Sequence, residues 1–149
     1  MTLKKYQQKR KFEKTLEPRG RIEKSRKNRF VIHDHFAKKA GHHHDLRLEM
    51  EGVLKSWAVP KGVPKKIDIK RLAISVEDHP ISYINFFGII PQGCYGAGRV
   101  KVFDKGKYEL IERSKNKILF NLKGKKIKGN YCLINLKGRK DQWLLLKTK

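Results

Sequence analysis

Five of the six histidines fall between positions 33 and 44 (His33, His35, His42, His43 and His44), and the sixth is His79. Just beyond them Leu46, Leu48 and Met50 interleave with Asp45, Arg47 and Glu49, which is the period of a half-buried strand. On such a strand His43, Asp45 and Arg47 share one face, opposite Leu46 and Leu48. His35, on a preceding strand, needs only a hairpin-like return to join them. Two imidazoles and a carboxylate suit a divalent transition metal such as Mn²⁺ or Zn²⁺. Such a set leaves coordination positions for a phosphate oxygen or water, as metal-assisted hydrolysis requires. Arg47 beside it can fork onto non-bridging phosphate oxygens. Spacing alone equally describes a surface strand with adventitious histidine and charge, and a nickel-binding or storage role is a further reading.

A second strand-like stretch, Arg71–Glu77, places Arg71, Ala73, Ser75 and Glu77 on one face, with His79 just beyond it before Pro80. A histidine at a strand end near phosphate can donate a hydrogen bond or protonate a leaving oxygen. The glycine-rich segment 91–98 lacks the Gly-Lys-Ser/Thr of a P-loop and opens no helix, so its glycines serve a tight corner of the backbone.

The elements that must position these residues read as β from Phe30 onward. Strands are expected at Val53–Val59, Arg71–Glu77, Arg99–Asp104, Lys107–Glu112, Lys117–Leu122, Tyr131–Leu136 and Gln142–Lys147, with a turn at Asp104-Lys105-Gly106. The fold class is therefore all-β: a small antiparallel β-barrel of about eight strands, carrying a basic N-terminal arm. The arm (1–29) has 12 Lys/Arg against 3 Asp/Glu. It is expected to pack lightly on the barrel (30–149) through Tyr6, Phe12, Leu16 and Ile22, partly helical before Pro18, within a single domain overall.

The net charge of +23 concentrates polyanions at the surface, and nucleic acid is the partner it points to. Cys94 and Cys132 are too few for a disulfide framework or a zinc knuckle. The N-terminus has no signal-peptide core and no stretch approaches the ~20 apolar residues of a membrane span. A soluble, cytoplasmic protein, nucleoid-associated when bound to DNA, is the expectation.

Phe30-Val31-Ile32-His33-Asp34-His35, followed by His43-His44-Asp45-Leu46-Arg47-Leu48-Glu49, resembles the signature of the 3′-phosphoesterase module of the bacterial and archaeal DNA ligase D family. Gly52–Gly62, Lys70-Arg71-Leu72-Ala73, Glu77-Asp78-His79-Pro80 with Tyr83, and Tyr95-Gly96-Ala97-Gly98 match further blocks in order, and a stand-alone phosphoesterase is the expectation. The resemblance implies a barrel with a metal and phosphate site in a crescent groove. It implies two Mn²⁺-dependent reactions at a DNA 3′ end, with Zn²⁺ or Co²⁺ as alternative metals. A phosphodiesterase step removes a terminal ribonucleoside, and a phosphomonoesterase step then removes the 3′-phosphate.

By motif position His35, His43 and Asp45 would hold the metal, while Arg47 and His79 would grip the phosphate with Tyr83 in support. Arg71 is a further phosphate-binding candidate, and Glu77, Arg10, Glu17 and His33 stand in second rank. The interval from His35 to His43 is longer than usual in the family, which leaves His42 or His44 as alternative ligands. Lys11 stands where the family is acidic, His33 where it has Gln, and Gln92 where it has Glu. The expected substrate is a primer–template with a 3′-ribonucleotide or 3′-phosphate end, acted on by a monomer. A separate ligase, polymerase or Ku-like protein would act in trans. The alternative is a non-catalytic DNA-end or RNA-binding module that retains the barrel.

Overall fold

The computed structural model describes residues 2–23 and 27–149. Alternating apolar residues fold into nine strands: β1 (Arg29–Ala37), β2 (Gly41–Met50), β3 (Val53–Val59), β4 (Lys70–His79), β5 (Gly88–Ile90), β6 (Gly98–Ser114), β7 (Lys117–Lys123), β8 (Lys128–Asn135) and β9 (Gln142–Lys147). All pair antiparallel, in the order β1-β2-β3-β4-β9-β8-β7-β6, and a β1–β6 pairing closes this sequence into a ring of eight. The short β5 pairs on β6 beside the ring. The expected all-β, barrel-like class is what forms. Closure leaves the eight ring strands without free edges, which removes the usual liability of a sheet this basic and this small.

Period 2 decides what each face carries. Phe30, Ile32, Leu46 and Leu48 point into the ring, where they meet Trp57, Phe120 and Leu133. Val31 and Leu54 point outward, into a second apolar cluster with Tyr6, Tyr83, Phe86 and Val100. That outer cluster is where the arm and a short 3-10 helix (Ile81–Asn85) lie on the sheet. The β2–β3 turn uses Glu51 and Gly52, both at positive φ, as a two-residue hairpin favours.

Three departures from the sequence expectations have local causes. The strands expected at Arg99–Asp104 and Lys107–Glu112 are one strand, β6, without a turn between them. The Asp104 carboxylate instead accepts backbone N–H bonds from Lys105 (2.9 Å), Lys125 (3.1 Å), Lys126 (2.9 Å) and Ile127 (2.8 Å). It thereby fastens the β7–β8 turn to β6. The arm is held more firmly than expected, through α1 (Lys4–Gln8), whose Tyr6 is buried, and through buried Leu3 and Glu17. Leu16, an expected anchor, is 88% exposed. Met1 and residues 24–26 of the arm lie outside the described residues. The third departure is a bulge in the β3–β4 pairing: Ser56 faces Val76, but Leu54 faces His79. The extra residue on β4 turns Glu77 and His79 to the outer face, while Ala73 and, by alternation, Arg71 keep to the inner one. No helix among the described residues is long and apolar enough to cross a membrane.

Candidate active site

The β1–β2 register sets His33 opposite Asp45 and His35 opposite His43, all on the outer face with Arg47. His35 Nδ1 lies 3.3 Å from Asp45 Oδ2 and His43 Nε2 lies 3.2 Å from Asp45 Oδ1. The three ligand atoms fall within 4.8 Å of one another. A second set on the opposite face, Asp34, His42 and His44, is equally close, with 2.7 and 3.1 Å separating the two imidazoles from Asp34 Oδ1.

Proton placement separates the two sets. A carbonyl can only accept, so His35 Nε2 donates to Gly96 O (2.7 Å) and His43 Nδ1 donates to Gly41 O (3.1 Å). Both rings then turn a lone pair toward the Asp45 carboxylate unless a cation, proton or metal, lies between them. Burial lowers the His43 pKa, but its hydrogen bond to Asp45 and that carboxylate's charge outweigh it and leave the pKa raised. Burial also opposes the Asp45 charge, yet His35, His43 and Arg47 together hold its pKa well below the usual carboxylate range. In the second set the polarity is reversed. The Val63 N–H donates to His44 Nδ1 (3.0 Å), so His44 Nε2 carries the proton and donates to Asp34. Burial, the largest influence, lowers the His44 pKa and favours this neutral form. In the first set both imidazoles turn a lone pair to the carboxylate, whereas in the second His44 turns an N–H to it.

Arg47 is buried beside the first set. Its Nε donates to His33 Nδ1 (3.2 Å) and its Nη2 to Asp45 Oδ2 (3.4 Å), while its Cζ lies 5.0 Å from the centre of the Tyr83 ring. Its Nη1 is buried and has no hydrogen-bond partner among the described residues. A buried, unpaired donor on a guanidinium costs about 1–3 kcal/mol, which an anionic oxygen would recover. His33 is fixed as the partner of Arg47, since its Nε2 donates to Phe86 O (3.0 Å). Burial and then the Arg47 charge push His33 down to about 3, so it stays neutral.

The arm completes the pocket. Arg10 donates to Glu17 (3.2 Å) and Glu77 (2.9 Å), and its Nη2 to His79 Nε2 (3.3 Å). His79 spends its one N–H on Glu77 O (2.9 Å), and burial followed by the Arg47 and Arg10 charges holds its pKa well below the ordinary value. It is therefore a neutral acceptor here rather than a proton donor. Tyr83 OH donates to Glu17 (2.6 Å), and its ring meets both His33 and His79 edge-on. Burial, with Glu17 beside it, raises the Tyr83 pKa well above its ordinary value and keeps that hydroxyl protonated.

Glu17 thus ties Arg10 and Tyr83 together inside the protein. Glu17→Ala is expected to lower stability by about 3 kcal/mol, because it strands part of a buried cation. Urea denaturation measures this, and a midpoint within error of wild type would show that the network does not hold the arm.

Of the residues expected from sequence, His33, His35, His43, Asp45, Arg47, Glu77, His79, Tyr83, Arg10 and Glu17 converge on this outer face. Arg71 does not join them: it keeps to the inner face of β4 and donates to Lys61 O (2.8 Å). Lys11 and Gln92 are exposed. Sequence reading missed the carbonyls of Gly41 and Gly96, which set the tautomers. Arg10, in second rank by sequence, donates to Glu17, Glu77 and His79 in this pocket.

A family model described as the DNA ligase D 3′-phosphoesterase domain matches residues 33–135, which includes every strand residue of the site. The multifunctional non-homologous end joining protein LigD of Pseudomonas aeruginosa is 45% identical over 156 residues, covering 97% of this chain and 18% of that protein. Its namesake in Mycolicibacterium smegmatis is 42% identical over 133 residues, covering 82% of this chain and 17% of that protein. The multifunctional non-homologous end joining DNA repair protein LigD of Mycobacterium tuberculosis is 44% identical over 126 residues, covering 82% of this chain and 16% of that protein. The chain spans less than a fifth of the length of these relatives. On this evidence the chain belongs to the 3′-phosphoesterase domain family of DNA ligase D.

Proposed function

We propose that the protein is a metal-dependent phosphoesterase that heals DNA 3′ ends during break repair. The observation that carries this reading is the unpaired, buried Arg47 Nη1 lying beside a histidine–histidine–aspartate set whose lone pairs face inward. A cation and an anion side by side answer both features at once. The family match and the relatives' names, which speak of end joining, support the choice of DNA ends.

His35 Nδ1, His43 Nε2 and an Asp45 oxygen would hold a divalent transition metal, Mn²⁺ by family resemblance. When bound, the metal supplies Lewis-acid neutralisation of phosphate charge. Arg47 turns Nη1 to a non-bridging oxygen, while neutral His33 fixes the other edge of the guanidinium. His79 is the second phosphate contact by family resemblance, and its Nε2 accepts from Arg10, which Glu17 and Glu77 hold in place. Tyr83 and Glu17 hold that arrangement in register with the arm. Each reaction adds water across one P–O bond. In the first, the bond to the 5′ oxygen of a terminal ribonucleoside breaks and a 3′-phosphate remains. In the second, the bond to the primer's 3′ oxygen breaks and a 3′-hydroxyl remains. A polymerase and a ligase could then use that end, with a Ku-like protein as a further expected partner.

The test is a labelled primer–template ending in one ribonucleotide, incubated with Mn²⁺ and with EDTA. The expected result is stepwise conversion to a 3′-phosphate and then a 3′-hydroxyl, both abolished by EDTA. Arrest at the 3′-phosphate would restrict the activity to the diesterase. DNA binding without cleavage in any divalent metal would contradict the enzyme and leave a non-catalytic end-binding module.

A further inference from the structure

The outer face carries a second feature along the same columns of side chains. From the site toward the start of β1, its outward residues run His35, His33, Val31 and Arg29. The outward residues of β6 that pair with them run Val100, Val102, Lys105 and Lys107. A cavity of about 520 Å³ opens at the far end, lined by Arg29, Lys105, Lys107 and Lys125 over Ile84 and Val102. The end of the 3-10 helix borders it, where Lys105 Nζ donates to Asn85 Oδ1 (3.0 Å).

The charge of this cavity is strongly unbalanced. The Asp104 carboxylate in its wall is consumed by four backbone N–H groups, and those bonds hold in place the turn that carries Lys125. Gly124 is required in that turn, since a Cβ there would lie 2.1 Å from Asp104 Oδ2. Arg29 is paired with Glu49. Lys105, Lys107 and Lys125 are exposed, and none forms an ion pair among the described residues. Three lysines without an ion pair among the described residues, Lys105 bonded to Asn85 and all carried on the sheet or the pinned turn, form a seat for a polyanion.

We propose that this cavity holds the phosphodiester backbone of the processed strand, upstream of its 3′ end. The inference rests on the end-healing reading of the site. Four residues of β1 separate His33 from Arg29, roughly 13 Å at about 3.3 Å per residue. Because a strand winds around its axis, its successive phosphates lie roughly twice as far apart as the ~3.4 Å axial rise, so the backbone about two nucleotides from the reacting end lies over the three lysines. The enzyme thereby reads a stretch of strand rather than an isolated phosphate, and the reach of the lysines sets the shortest strand that it holds fully.

The test is fluorescence anisotropy of a labelled primer–template in EDTA, which permits binding without cleavage. Wild type is compared with the triple variant Lys105→Gln, Lys107→Gln, Lys125→Gln. The variant is expected to bind at least tenfold more weakly at low salt. The slope of log K against log salt should fall by about 2–3, since each phosphate contact contributes about 0.9. Methylphosphonates at the second and third linkages from the 3′ end should weaken wild type and leave the variant unaffected. Wild-type affinity and slope in the variant would overturn the proposal, as would equal sensitivity of both proteins to the methylphosphonates. The outcome is independent of catalysis: a wild type that cleaves while the variant binds normally refutes the seat alone. A wild type that never cleaves while the variant loses binding refutes the enzyme alone.

Discussion

Arg47→Ala is expected to lower cleavage of a 3′-ribonucleotide primer by about 10²–10³-fold, the usual cost of removing a preorganised donor that meets developing charge. The basis is geometric. The guanidinium is held on one edge by His33, shares Asp45 with the metal candidates, and keeps its buried Nη1 unpaired among the described residues. Arg47→Lys should recover little, because one ammonium cannot bond His33 Nδ1, Asp45 and a phosphate oxygen in a fixed fork. Single-turnover rates at saturating DNA separate this from weaker binding. An Arg47→Lys variant with wild-type rate would show that charge alone suffices and that the fork has no role.

Asp45→Asn is the second large effect. The carboxylate lies between His35 and His43, with Arg47 as its third neighbour, and is the sole anion of the metal candidates. The amide keeps the shape and removes the charge. Mn²⁺ affinity should fall by more than about 100-fold, since even partners one step removed from a metal are worth about 10–100-fold. Cleavage should fall at least as far. DNA binding in EDTA should be unchanged or slightly stronger, because one negative charge has left the phosphate pocket. Unaltered cleavage in Asp45→Asn would remove the metal set from the mechanism.

How much of this was legible in the sequence depends on how local each cause is. The alternation from His43 to Met50 put Asp45 and Arg47 opposite Leu46 and Leu48, and β2 follows it. It also chose His43 over its two neighbours for the outer face, where His35 lies. The face of Glu77 and His79 was not legible. A bulge in β4 reverses the alternation between Ser75 and Glu77, and nothing in residues 71–79 announces it. That single extra residue separates Arg71 from the site. The β6 segment misled in a similar way. Asp-Lys-Gly is turn chemistry locally, but ring closure against β1 and the backbone N–H groups of residues 125–127 give Asp104 better partners. In the arm, two of the four expected apolar anchors pack, Tyr6 buried and Phe12 against its cluster, whereas Leu16 and Ile22 are exposed and Arg10 adds ion pairs to Glu17 and Glu77. The tautomers of His35 and His43 depend on carbonyls at Gly96 and Gly41, and the former comes from a loop 61 residues away.

The most direct test of the account is a Mn²⁺ titration followed by electron paramagnetic resonance, on wild type, His43→Ala and His44→Ala. The account predicts one bound ion per chain in wild type and in His44→Ala, and none at the same concentrations in His43→Ala. Binding that survives in His43→Ala and disappears in His44→Ala would place the metal on the opposite face of the hairpin, away from Arg47, and would contradict it.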